Sequence, residues 1–145
     1  MVAVVSIGLF AGLMFALVFP LHRHWSAQRP AEYADLRGFL LAAKGHPVIT
    51  VLTFGSFLLP GVLALVEPDG TAKLLYALAG GVFLLGCFGV TLLLNFPIYQ
   101  EVIGWSTEPT ASDWDRVRMR FLVVNVIRFA AALSALILVA VAGLV

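Results

Sequence analysis

Four stretches, about Val2 to Leu21, Pro47 to Val66, Leu74 to Leu94 and Phe121 to Val145, each run for roughly 20 residues with almost no ionisable side chain. That is the length an α-helix needs to cross the hydrocarbon of a bilayer. Four such stretches in 145 residues leave little chain for anything else. Charge tells the same story: 12% of residues are charged and 61% are hydrophobic, where a soluble domain has about 25% and about 45–50%. A water-soluble globule would have too few charges to cover it. The expected fold is all-α: a polytopic membrane protein, one four-helix transmembrane bundle over residues 1–145.

Local signals refine the spans. Pro47 suits the first turn of the second helix, where a missing N–H costs nothing. Pro60 lies inside that helix and is expected to kink it. Gly80, Gly81, Gly86 and Gly89 mark the third span as the one that lets neighbours approach closely, and they offer a surface for a homo-oligomer. The first span lacks a basic leader and a convincing small-residue cleavage site, so it reads as a retained helix. The lone Cys87 sits in an apolar run with no second cysteine to pair with; it reads as a buried structural thiol.

The connections are unequal. Loop 22–46 carries Arg23, Arg29, Arg37 and Lys44, and loop 95–120 carries Arg116, Arg118 and Arg120. The short turn after the second span carries only Lys73. Basic residues collect on the cytoplasmic side, so both termini are expected outside and loops 22–46 and 95–120 inside. Within the first loop, Tyr33, Leu36, Arg37, Leu40 and Leu41 recur at helical spacing and predict a short interfacial helix over Ala31 to Lys44. Ser112 or Asp113 is expected to cap a helix that runs unbroken from near Trp114 into the fourth span. No basic stripe with interleaved aromatics suggests nucleic acid; the expected partner is the lipid bilayer.

The unusual polar residues gather at one end. His22 and His24 close the first span there, His46 opens the second, Asn95, Tyr99 and Glu101 follow the third, and Asn125 and Arg128 lie inside the fourth. Arg128 is the strongest signal. An ionisable group within a span costs about 2.5–3.5 kcal/mol on insertion scales, and it faces the bundle interior. Asn125, three residues earlier, shares its face, and the turns above bring Arg118 and Trp114 toward it. Arg128 either binds an anionic or enolic group or bonds to backbone carbonyls near Asn95. Pro97 frees carbonyls one turn earlier, so Asn95 either fills that gap or faces a ligand. His22, His24 and His46 raise a metal reading, copper or iron among the ions that suit imidazole; the alternative is three solvated interface residues. The aromatics Trp25, Tyr33, Tyr99, Trp105 and Trp114 read first as an interfacial belt.

The arrangement of Gly12, Phe15 and Pro20 in the first span, then Asn95, Pro97, Trp114, Arg118, Asn125 and Arg128, resembles the anthrone oxygenase-like family of small four-helix membrane proteins. The stretch from Leu94 to Arg128 carries most of that resemblance, which departs from the family pattern at Val126 and Phe129. The resemblance implies oxidation of an anthrone- or phenol-like aromatic by dioxygen through an enolate, with no cofactor. Arg128 and Asn125 would hold the enolate oxygen with Asn95 beside them. His24, His22 or Glu101 would be the base, and Trp114, Tyr99 and Arg118 would contact the aromatic substrate. Two alternatives stand against it: a non-enzymatic membrane binder, transporter subunit or assembly partner, and a His-ligated copper or iron oxidase.

Overall fold

The computed structural model describes all 145 residues, and every regular element in it is helical. We label the helices α1 (Val2–Ser26), α2 (Tyr33–Ala43), α3 (Pro47–Val66), α4 (Gly70–Gly104) and α5 (Ala111–Ala142). All but α2 are long and apolar enough to cross a membrane. The protein is therefore an integral, multi-pass membrane protein built as a four-helix bundle, as its composition predicts. Side chains such as Val51, Leu65, Leu85 and Leu93 point outward and are largely exposed, where a soluble bundle would carry charge.

The four long helices form a ring: α3 packs between α1 and α4, and α5 packs between α4 and α1. Lipid gives no hydrophobic drive for helix association, so close packing must supply it. The core holds Ile7, Phe10, Phe83 and Ala132, all fully buried, with Phe10 edge-on to Phe83 at 4.8 Å. Gly86 of α4 lies so near α5 that a Cβ there would overlap the Ala131 methyl, and the space beside Gly80 is closed by the Phe57 carbonyl oxygen of α3 at 3.4 Å. Gly80 and Gly86 thus make α4 a close-packing helix, while Gly81 and Gly89 meet no neighbouring helix.

Caps fix where the helices start. Asp69 accepts from the backbone N–H of Thr71 and Ala72 at 2.9 and 2.8 Å and opens α4. Thr110, not Ser112 or Asp113, caps α5, accepting from the Asp113 N–H at 3.1 Å; the helix therefore begins two or three residues earlier than expected. Pro47 occupies the first turn of α3, and that helix continues across Pro60 to Val66. Between α2 and α3 the chain reverses at Gly45, whose φ of 72° is open to glycine at no steric cost.

Two helices run past their expected ends. α1 continues through Ser26, so His22, Arg23 and His24 lie on a helix. α5 runs unbroken from Ala111 into the fourth span, as expected. The third span does not stop at Leu94: α4 passes through Asn95-Phe96-Pro97 and ends at Gly104. Widened π-turns explain how. They occupy Leu17–Leu21 around Pro20, and Leu84–Gly89 and Thr91–Asn95 before Pro97. A proline ring clashes with the carbonyl four residues back and leaves it without a donor; an extra residue in the turn relieves both. The loop expected over Asn95 to Arg120 shrinks to a short link between α4 and α5.

α2 lies at the end of the bundle away from the termini, as the interfacial helix predicted there. It packs on the last segment of α4, where Arg37 Nε donates to the Ile103 carbonyl at 3.1 Å. Beneath it, the lower parts of α3 and α4 separate and leave a hollow.

Candidate functional site

The hollow begins with the backbone of α5. Asn125 and Arg128 are one turn apart and both face inward. The Asn125 amide donates to the Phe121 carbonyl one turn back at 2.8 Å. That bond turns Oδ1 toward Arg128, whose Nη1 donates to it at 2.9 Å. Arg128 is only 5% exposed, and its guanidinium lies 5.7 Å from the Phe10 ring centre. No carboxylate pairs with it: the ion pairs of the protein involve His24, Arg116, Arg118 and Arg120. Its Nε is buried without a partner. An inward cation held by one neutral amide and one ring face is the least compensated charge in the bundle.

Arg128 forms one wall of a cavity of about 220 Å³. Leu13, Met14 and Leu17 of α1, Phe54 of α3 and Phe88 of α4 supply apolar walls, and Tyr99 of α4 lies on the same cavity as Arg128. Toward the mouth stand Thr50, Thr53, Thr91 and Lys44, with the Lys44 ammonium 5.9 Å from the Phe96 ring centre. Thr53 and Thr91 hydroxyls donate to their own helix, to the Ile49 and Cys87 carbonyls at 2.7 and 2.6 Å. Arg128, Tyr99 and Lys44 are the ionisable groups of the lining. Aromatic and aliphatic walls with a few convergent polar groups describe a small-molecule site.

Asn95 is buried beside this site, and both atoms of its amide lack a hydrogen-bond partner. It does not bond to the carbonyls ahead of Pro97, so the expected local cap is absent, and it does not itself line the cavity. Cys87, fully buried, donates its thiol to the Arg128 carbonyl at 3.2 Å and reads as structural, as expected.

Other expected site residues lie elsewhere. His24 is more than half exposed and bonds to Asp35 at 2.9 Å. Gln28 donates to the same Asp35 oxygen at 2.7 Å. Hydrogen bonds from Gln28 and then His24 hold the Asp35 carboxyl below the usual carboxylate range. Glu101 bridges Arg116 and Arg120 at 2.6 and 3.4 Å on the outer face of α4 and α5. None of the three candidate bases, His22, His24 and Glu101, lines the cavity. Arg118 donates to the Trp25 carbonyl at 3.0 Å, pairs with Asp115 and lies over the Trp114 ring. Trp114 is buried and donates to the Gln28 carbonyl at 3.2 Å. These two residues tie the end of α1 to α5 and do not contact the hollow.

The three-histidine metal set is not assembled. His22 and His24 lie two apart on a continuous helix, about 200° around its axis, and point different ways. His22 meets Ser26 at 3.1 Å, and His46 immediately precedes α3. No three His, Cys, Asp or Glu side chains come together at metal distance anywhere in the chain, so the donor set does not fit a copper or iron centre.

A sequence reading missed Phe39, Lys44, Thr50, Thr53 and Thr91. Thr50 and Thr53, three apart in an otherwise apolar span, were the available signal, since that spacing puts both on one helix face.

Fold and site together define a class: a four-helix membrane protein with a buried, uncompensated cation in an apolar hollow near one end. Within that class the chain belongs to the anthrone oxygenase family, whose model, described as anthrone oxygenase, matches residues 39–138. The match runs from α2 to the last turns of α5 and includes Asn95, Tyr99, Asn125 and Arg128. Family membership points to oxygenase-type chemistry. Searches among curated proteins and among solved structures gave no match.

Proposed function

We propose that the protein is a membrane-embedded oxygenase that oxidises a lipid-soluble anthrone- or phenol-like aromatic with dioxygen, in the Arg128 cavity and without a metal or organic cofactor. The observation that carries this is the guanidinium itself. A cation sunk in hydrocarbon with no carboxylate beside it is matched by a ligand that brings the negative charge. Attraction to the cation favours the ionised form of an enol or phenol and works against the desolvation that burial imposes on it.

In an anthrone, loss of a proton from the methylene leaves an aromatic enolate with its charge on oxygen. Arg128 Nη donors hold that oxygen, Asn125 fixes the guanidinium, and the Tyr99 hydroxyl is the second donor within reach of the cavity. The lining holds no carboxylate or imidazole, so the proton leaves through solvent at the Lys44 mouth. The enolate then passes one electron to dioxygen. The resulting carbon radical and superoxide join in a C–O bond and take up one proton to give a hydroperoxide. Cleavage of the O–O bond with loss of the remaining C–H proton releases water and leaves the quinone carbonyl. Anthrone and dioxygen become anthraquinone and water. The protein's share is electrostatic stabilisation of the enolate and exclusion of water from it. In this proposal the Arg128 end faces the cytoplasm, following the basic loops.

The absence of a general base from the lining favours one second reading, a non-enzymatic binder of the same phenolate-like ligands. Dioxygen uptake separates the two. The purified protein in lipid nanodiscs, given an anthrone, should consume dioxygen above the spontaneous rate and form one quinone per dioxygen. Tight binding of the anthrone with no rate above background would leave a binder and reject the oxygenase.

A further inference from the structure

A second apolar compartment adjoins the Arg128 cavity. It is a groove of about 470 Å³ on the outer face of the bundle, between α1, α2 and α3. Leu9 and Val48 form its rim, each 58% exposed, so the groove opens toward lipid. Leu13, Phe39, Ala43 and Ile49 line both spaces. The partition between a charged hollow and a lipid-facing groove is therefore made of side chains alone. Phe39 is its largest member, half-buried against the Trp25 ring at 5.0 Å.

The two sides of the cavity differ in chemistry. The side toward α3 and α4 carries Thr50, Thr53 and Thr91 among Phe54, Phe88 and Phe96, with the exposed Lys44 beside them. The side toward the groove carries hydrocarbon, with His46 alone at the groove's edge. A cavity of about 220 Å³ is also smaller than the about 300–1,000 Å³ usual for sites that enclose a drug-sized molecule.

The geometry points to one divided site: the anionic oxygen of the ligand sits at Arg128, and its apolar part passes Phe39 into the groove. The ligand class is an aromatic enol or phenol with a hydrocarbon substituent or a further ring, drawn sideways from the bilayer. Phe39 and Ala43 set how large that extension can be. This inference rests on Arg128 holding the ligand's oxygen. Hydrocarbon gains little on moving from lipid into an apolar groove, so the groove selects by shape, and the test reads position instead of affinity.

The probe is a 4-alkylphenol with a photoreactive diazirine at the end of its chain, used on the full-length protein in nanodiscs and read by peptide mass spectrometry. The expected labels fall on Leu9, Val48 and Leu52. They drop several-fold in Arg128→Met and on competition with excess unsubstituted phenol, and they leave the groove in Ala43→Phe, which fills the junction. Arg128-dependent labels at Phe54, Phe88 and Phe96 would overturn the divided site while leaving Arg128 as the oxygen's partner. Labels unchanged by both Arg128→Met and phenol competition would overturn the role of Arg128 and the divided site together.

Discussion

Replacing Arg128 with methionine separates a functional charge from a structural one. The structure sets the terms. Arg128 makes one side-chain hydrogen bond, to Asn125 Oδ1 at 2.9 Å, pairs with no carboxylate, and leaves Nε unbonded. Losing the charge removes an insertion cost of about 2.5–3.5 kcal/mol. Losing the bond forfeits about 1.5–3 kcal/mol for a hydrogen bond to a charged group. These partly offset each other, and methionine replaces much of the buried stem. Stability should therefore change by about 2 kcal/mol or less. Activity should not survive, since removing a donor to a developing oxyanion typically costs about 10²–10³ in kcat. Thermal unfolding in detergent and anthrone-dependent dioxygen uptake, measured on the same preparation, test both halves. A collapse in thermal stability would make Arg128 a structural residue. Wild-type oxidation by a well-folded variant would remove it from the chemistry.

Three further outcomes follow from the geometry. Gly86→Ala forces a methyl into Ala131 and should destabilise the bundle by about 1–3 kcal/mol, whereas Gly12→Ala, inside a helix with nothing within 4 Å of the new methyl, should not lower the melting temperature. Because Gln28 and His24 hold the Asp35 carboxyl low, the stability it gives is present above the unfolded value of about 3.9 and is lost as pH falls through its lower folded value. Tryptophan emission followed below about pH 4 should thus show a small transition that Asp35→Asn lacks, small because the pair is solvent-screened. Chelator treatment should leave dioxygen uptake intact, since no three ligating side chains converge; a loss restored by copper or iron would reinstate a metal.

Much of the fold could be read from the chain because the bilayer permits few solutions. Spanning length and missing charge determine four helices, and Pro47 marks where α3 begins. The pairing of Asn125 with Arg128 was legible for a similar reason: three residues on a helix always share a face. Helix ends were harder. Asn95-Phe96-Pro97 looks like a stop, yet the π-turns ahead of it absorb the proline, and no local pattern announces that the backbone will widen. The same persistence of α1 through Ser26 turned His24 outward, away from the hollow it was expected to serve. Glu101 sits at the right depth, but Arg116 and Arg120 hold it on the outer face. Depth in the membrane can be counted along a sequence; direction around an axis depends on an unbroken helix. The cavity walls, gathered from all five helices, depend on how those helices pack together, which no single span encodes.

The account stands on a buried cation that meets an anionic oxygen. A hydroxyanthraquinone whose visible spectrum differs between phenol and phenolate reports this directly, through a pH titration of the dye bound to the protein in nanodiscs. Wild-type protein should lower the bound dye's apparent pKa by at least about one unit, or about 1.4 kcal/mol, and Arg128→Met should abolish the shift. A dye that binds in its neutral form, with a pKa unchanged or raised in the wild type, would contradict the proposed role of the guanidinium.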